Sequence, residues 1–168
     1  MKRINAPLFV HICFVILAFC AVFIDRDCLK YVTENLNFKL TIFALQTTAL
    51  VYAGYVQAQR NGKIYSIMRP GIIGLGILIS CVLLSGNFQF NKNIGITIVW
   101  IILEAYYISY EILIGDLIKK MPFSLNLNYG FQAQCIYVIL SSVFPFIGYV
   151  IFRSKTAFNE HKSGIYGK

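Results

Sequence analysis

The stretch from residue 93 to residue 120 reads NIGITIVWIILEAYYISYEILIGDLIKK. This run is long and apolar enough to cross a bilayer, which takes about 20 residues. It nevertheless carries three carboxylates, Glu104, Glu111 and Asp116. On insertion scales a carboxylate at mid-depth in a membrane costs roughly 2.5 to 3.5 kcal/mol, so it needs a structural or functional reason. The run therefore predicts a membrane helix with a polar face.

Helical geometry places two of these carboxylates on one stripe. At about 100° per residue, Glu104 and Glu111 lie about 20° apart around the helix and about 10 Å apart along it. Trp100 and Tyr107 fall within about 60° of Glu104 and supply an indole and a phenol that can donate hydrogen bonds. Asp116 points about 120° away, near the basic end of the run, and is interpreted as an interfacial residue.

The stripe has a structural and a functional interpretation. Buried carboxyls often pair with neighbouring helices or remain protonated. Alternatively, Glu104 and Glu111 line a hydrated cavity and bind a proton, a cation or the cationic group of a ligand. Residues 40–59 offer a partner face, because Gln46 lies there on one side of the predicted helix with small residues. We expect Gln46 to hydrogen-bond the carboxyl of Glu104.

Composition assigns the whole chain to one membrane domain. Of its 168 residues 58% are hydrophobic and only 13% are charged, which excludes an ordinary soluble domain. The long uncharged windows predict an all-α bundle with four or five transmembrane spans. The predicted helices cover about 5–24, 40–59, 70–88, 94–118 and 132–152, and a polar, basic tail follows at 153–168.

The distribution of basic residues bears on topology. Five spans divide Lys and Arg almost equally between the two sides, whereas four spans give one side a clear majority. Hydrophobic length favours five spans, so the side of the carboxyl terminus stays open. We expect a multi-pass protein of a bacterial cytoplasmic membrane. The basic residues that give the net charge of +8 lie at the ends of the apolar windows. This placement indicates that they contact lipid headgroups and do not bind nucleic acid.

Three further features concern packing inside such a bundle. Gly76 and Ser80, and likewise Cys81 and Ser85, have the small-xxx-small spacing that is typical of close helix contacts. Pro145 lies inside the last apolar window and favours a kink near Ser141, because proline removes a backbone donor. His11, alone in its apolar window, is interpreted as a hydrogen-bonded interior residue with no ligand.

Motifs for catalysis or metal binding are missing from the sequence. The five cysteines include no CxxC pair, and neither HExxH nor GxSxG occurs. We therefore predict no catalytic residues, no metal and no cofactor. The candidate ligand-binding residues are Glu104, Glu111, Tyr107, Trp100 and Gln46.

Three functional classes fit this description. A non-catalytic partner, either an accessory subunit of a membrane complex or an immunity-type protein, accounts for the small size and the polar groups inside apolar helices. A proton- or cation-coupled small transporter would use the two glutamates, and five short helices would then require a homo-oligomer. A membrane-embedded lipid-modifying enzyme is the second alternative. We favour the partner class, with another membrane protein in contact within the bilayer.

Overall fold

The described part of the chain consists of α-helices and their short connections. The computed structural model describes residues 4–24, 34–60, 63–85, 94–119 and 129–166. In chain order the helices are α1 (Ala6–Ile24), α2 (Leu36–Gln59), α3 (Ile64–Ile67), α4 (Arg69–Ser85), α5 (Ile94–Tyr106), α6 (Ile108–Lys119) and α7 (Tyr129–Tyr166). The predicted all-α bundle is confirmed for these residues.

The helices follow the predicted windows with three differences. The short α3 was not predicted, and the window at 94–118 holds two helices. The last helix, α7, is 38 residues long and continues beyond Phe152 to Tyr166, through most of the segment predicted as a tail. Pro145 lies within this helix, which continues on both sides of it. The predicted interfacial position of the Asp116 side chain falls outside what the structure describes.

Asparagine side chains cap the N-termini of two of the helices. Asn5 Oδ1 accepts a hydrogen bond from the backbone N–H of Leu8 at 3.0 Å, at the start of α1. Asn35 Oδ1 accepts from the N–H of Phe38 at 3.2 Å, at the start of α2. The first N–H groups of a helix have no partner within it, so an asparagine at this position stabilises the helix end. Pro70 lies in the first turn of α4, where its missing N–H is no loss.

Backbone contacts between α2 and α7 form the most extensive helix pair of the bundle. Gly54 of α2 lies directly against the backbone of Pro145. One turn along α7, Gly148 lies against the carbonyl of Val51. A side chain at either glycine would overlap the facing helix, so the two backbones approach this closely only because both positions are glycine.

The glycine face of α4 differs from the predicted one. Gly76 and Ser80 are exposed, and a β-carbon at Gly76 would meet no atom within 4 Å. Gly71 and Gly74 make the close contacts instead, with Ser142 and with the hydroxyl of Tyr107. The predicted helix contact at Gly76 and Ser80 is therefore wrong for the described residues, because the neighbouring helices pack on the other side of α4.

Length and composition identify one segment of the described chain as able to cross a membrane, Gln132–Phe158. The stretches Ala6–Ala21 and Arg69–Leu84 are apolar but shorter. A single long apolar helix is weak support for membrane association. The helical bundle is thus shown, whereas the number of spans stays a prediction.

The Gly54 contact generates a stability prediction. In Gly54→Ala the new methyl group collides with the Pro145 backbone, and we expect the free energy of unfolding to fall by about 1 to 3 kcal/mol. Gly76→Ala is the matched control, since its methyl group enters open space and alanine favours helix by about 1 kcal/mol. Thermal unfolding in mild detergent, followed by circular dichroism, measures both. Equal melting temperatures for the two variants would contradict the close contact.

Candidate functional site

A histidine from α1 interrupts the helix that carries the glutamates. In a regular helix the Tyr110 N–H would bind the carbonyl of Tyr106, but it donates to the carbonyl of Tyr107 at 2.9 Å. The Tyr106 carbonyl instead accepts a hydrogen bond from His11 Nε2 at 3.1 Å. A side chain inserted into the hydrogen-bond ladder is a known cause of helix bending. The single helix predicted for 94–118 is therefore wrong. The helices α5 and α6 meet at Tyr107, and this junction is called the joint below.

Aromatic rings surround this joint. The His11 ring centre lies 4.5 Å from that of Tyr106, 5.8 Å from that of Tyr107 and 6.1 Å from that of Tyr110. Tyr137 of α7 stacks on Tyr110 at 5.9 Å. These five residues are called the histidine–tyrosine cluster below. All but Tyr106 are 0% exposed, so the cluster is the centre of the bundle.

Two hydroxyl groups of the cluster connect it to other helices. The Tyr106 hydroxyl donates to the carbonyl of Pro70 at 2.9 Å, which joins α5 to α4. The Tyr107 and Ser141 hydroxyl oxygens lie 3.4 Å apart. Ser141 donates its proton to the carbonyl of Val138, so Tyr107 is the donor in this pair. The phenols therefore hold the joint against α4 and α7.

One of the two glutamates belongs to the interior. Glu111 is partly buried on α6, and its Oε2 accepts a hydrogen bond from the Tyr137 hydroxyl at 2.6 Å. This distance is typical of a charge-assisted bond between a hydroxyl and a carboxylate. The bond joins α6 to α7, which agrees with the structural interpretation, and the ligand-binding interpretation of Glu111 stays a prediction.

Gln46 lies in the interior but contacts a different residue from the one predicted. Its Nε2 donates to the hydroxyl of Ser109 at 3.1 Å, and both side chains are buried. The Tyr110 hydroxyl lies close to the same carboxamide. The predicted bond between Gln46 and Glu104 is not formed, because the polar face of α2 meets α6 at Ser109, beyond the joint.

The second glutamate faces outward. Glu104 is exposed, whereas Trp100 and Tyr107 on the same stretch are 2% and 0% exposed. No side chain in the described part of the chain donates a hydrogen bond to Glu104. The predicted stripe is therefore divided. Its aromatic members and Glu111 face the interior, and Glu104 lies at the edge of the buried face.

The polar groups of the interior limit what the site can do. The described residues include no group of three or more His, Cys, Asp or Glu side chains that could hold a metal ion. Among them, His11 Nδ1 and Gln134 Oε1 are buried without a hydrogen-bond partner. Because Nε2 carries the ring proton of His11, Nδ1 can accept a hydrogen bond or a proton. The cluster thus combines bonds between helices with one free basic nitrogen.

Sequence reasoning did not include four residues of this site among its candidates, namely Tyr106, Tyr110, Tyr137 and Ser109. It interpreted His11 only as an interior residue, which holds for its Nε2. A signal was present, because a histidine or a tyrosine in an apolar window brings a polar group that needs an interior partner. The spacing of such residues along the chain did not show that they converge.

Comparisons with protein families, with curated proteins and with solved structures find no match to this chain. No function is therefore transferred from a relative. The residues themselves and their geometry remain as the basis for a functional proposal.

The histidine at the joint generates a second prediction. His11→Phe keeps a ring of similar size but removes the donor to the Tyr106 carbonyl. A buried carbonyl without its partner costs about 1 to 3 kcal/mol, so we expect the free energy of unfolding to fall by that amount. Ile12→Phe is the matched control, because Ile12 is the exposed neighbour on the same helix. Thermal unfolding in detergent compares them, and an unchanged midpoint for His11→Phe would argue against a bond that holds the joint.

A third prediction concerns the bond between α6 and α7. Tyr137→Phe removes the hydroxyl that donates to Glu111 and leaves the ring in place. Hydrogen bonds to charged groups contribute about 1.5 to 3 kcal/mol, and we expect a loss of this size in unfolding experiments. Tyr52→Phe, at a position that is 67% exposed, should change stability by less than about 0.5 kcal/mol. If both variants unfold at the same temperature, Glu111 does not depend on Tyr137.

Proposed function

We propose that the chain is a multi-pass integral membrane protein that acts as a non-catalytic partner of another membrane protein. The observation that carries this proposal is the distribution of polar and apolar side chains. Buried polar residues such as Gln46 and Ser141 are 0% exposed, while Leu17 and Leu83 are 63% and 76% exposed. Soluble proteins rarely expose large continuous apolar surfaces. In a bilayer such a surface contacts lipid, and polar side chains lie inside the bundle.

Helix lengths support several spans. At 1.5 Å per residue, the 19 residues of α1 extend about 28 Å and the 17 residues of α4 about 26 Å. The hydrocarbon core of a bilayer is about 30 Å thick, and small mismatches are accommodated by the bilayer and by flanking residues. The stretch from Ile94 to Lys119 is longer than this thickness even with its joint. Together with α2 and α7 these segments make four or five spans.

The interior hydrogen bonds support a structural role for most polar groups. Glu111 binds Tyr137, and Gln46 binds Ser109, so these side chains join helices to one another. Transport through a path lined by both glutamates has less support, because Glu104 lies on the outer surface. We therefore assign binding of the partner protein to the outer surface of the bundle. An accessory subunit and an immunity-type protein both act through such a surface.

Purification from the native membrane tests the proposal. The full chain, tagged after Lys168, should stay with the membrane pellet in alkaline carbonate, because integral proteins are not released by it. In mild detergent it should elute with a second membrane protein at a constant ratio, identified by sizing and mass spectrometry. An unrelated tagged membrane protein of similar size, processed in parallel, controls for nonspecific capture.

Two results would contradict the proposal. Release of the chain by alkaline carbonate would exclude integral membrane insertion. A homo-oligomer with no second protein would exclude the partner function and would favour the transport alternative, with Glu104 and Glu111 as the residues to titrate.

A further inference from the structure

The position of Glu104 along α5 indicates how deep its side chain lies in the proposed membrane. The described run from Ile94 to Lys119 contains no basic residue before its last position. Glu104 lies ten residues from Ile94, or about 15 Å along the axis. Because the hydrocarbon core is about 30 Å thick, this position is near the middle of a span that begins at Ile94.

Among the described residues, no side chain donates a hydrogen bond to the carboxyl group of Glu104. Ile101, three residues before it and on the same side of the helix, is 55% exposed, so the carboxyl lies beside an apolar surface. The charged group within electrostatic range is Glu111, which has the same sign. The Tyr137 hydroxyl, which could donate to a carboxyl, is bound to Glu111. The described bundle thus satisfies its inner glutamate and not its outer one.

Lipid chains at this depth cannot pair with the Glu104 carboxyl, because hydrocarbon has neither hydrogen-bond donors nor positive charge. A second copy of the chain in a two-fold contact centred on Glu104 would place a second carboxyl opposite the first, and this pair would bring no positive charge. A lysine or arginine on a neighbouring helix supplies both opposite charge and donors, and ion pairs of this kind join membrane helices. Charge complementarity therefore selects one kind of occupant.

We propose that Glu104 binds a basic side chain, lysine or arginine, on a transmembrane helix of the partner protein, with Ile101 packed beside it. This inference rests on the proposed function and specifies the recognition point. It assigns no role to the histidine–tyrosine cluster, which holds the helix that presents Glu104.

Energy transfer in vesicles tests the inference without the native partner. The full chain carries a fluorescent protein after Lys168 and is reconstituted into vesicles of phosphatidylcholine and phosphatidylglycerol. The probe is an acceptor-labelled polyleucine transmembrane peptide with one central lysine, and the control peptide has leucine at that position. We expect half-saturation with the lysine peptide at about ten-fold lower peptide density, as for an interhelical polar contact of 1 to 2 kcal/mol.

Variants identify the residue responsible. Glu104→Gln should remove the ten-fold preference, and Glu104→Lys should transfer it to a peptide with a central glutamate. Glu34→Gln changes an exposed carboxyl outside the apolar run and should leave the preference intact. Sizing of each variant in detergent confirms that the bundle is folded.

Equal half-saturation with the lysine and leucine peptides would overturn the inference, and so would a preference that persists in Glu104→Gln. These outcomes differ from failure of the proposed function. A native partner that is recovered although the lysine peptide shows no preference leaves the function standing and places its contact elsewhere. A lysine preference without any native partner would reject the function alone.

Discussion

The hydrogen bond from His11 Nε2 to the carbonyl of Tyr106 determines how the centre of the bundle is arranged. It occupies the acceptor that a regular helix would use for the Tyr110 N–H, and the helical hydrogen-bond pattern is interrupted at Tyr107. After this interruption α6 packs on α1 and α2, while α5 before it packs mainly on α4. The two parts of one stretch of sequence thus contact different helices. The rings of Tyr106, Tyr107 and Tyr110 lie around the His11 ring.

The positions of the helices were predictable from the sequence because helix length and hydropathy are local properties. Uncharged windows of about 20 residues located α1, α2, α4 and α7 to within a few residues at most ends. The inward face of α2 was also predictable, since Gln46 shares a side of the helix with small residues and is 0% exposed. The number of membrane spans was predicted in the same way and remains a prediction.

The joint and the orientation of Glu104 were not predictable in this way, because both depend on contacts between distant residues. His11 is 95 positions from Tyr106, and nothing in residues 94–118 indicates an interruption. A helical wheel gives the angle between Glu104 and Glu111 but not which direction faces the core. The same limit explains the error at Gly76, because small-residue spacing describes a face without showing what packs on it.

The length of α7 has a mechanical consequence. Its 38 residues extend about 57 Å, roughly twice the hydrocarbon thickness of a bilayer. If residues 133–152 cross the proposed membrane, the 14 residues that follow, up to Tyr166, continue as helix for about 21 Å. That distance exceeds the headgroup layer, so the end of the helix stands in water as a stiff rod. The backbones of α2 and α7 are in direct contact at Gly54 and Gly148. A lateral displacement of the end of α7 would therefore move α2 as well.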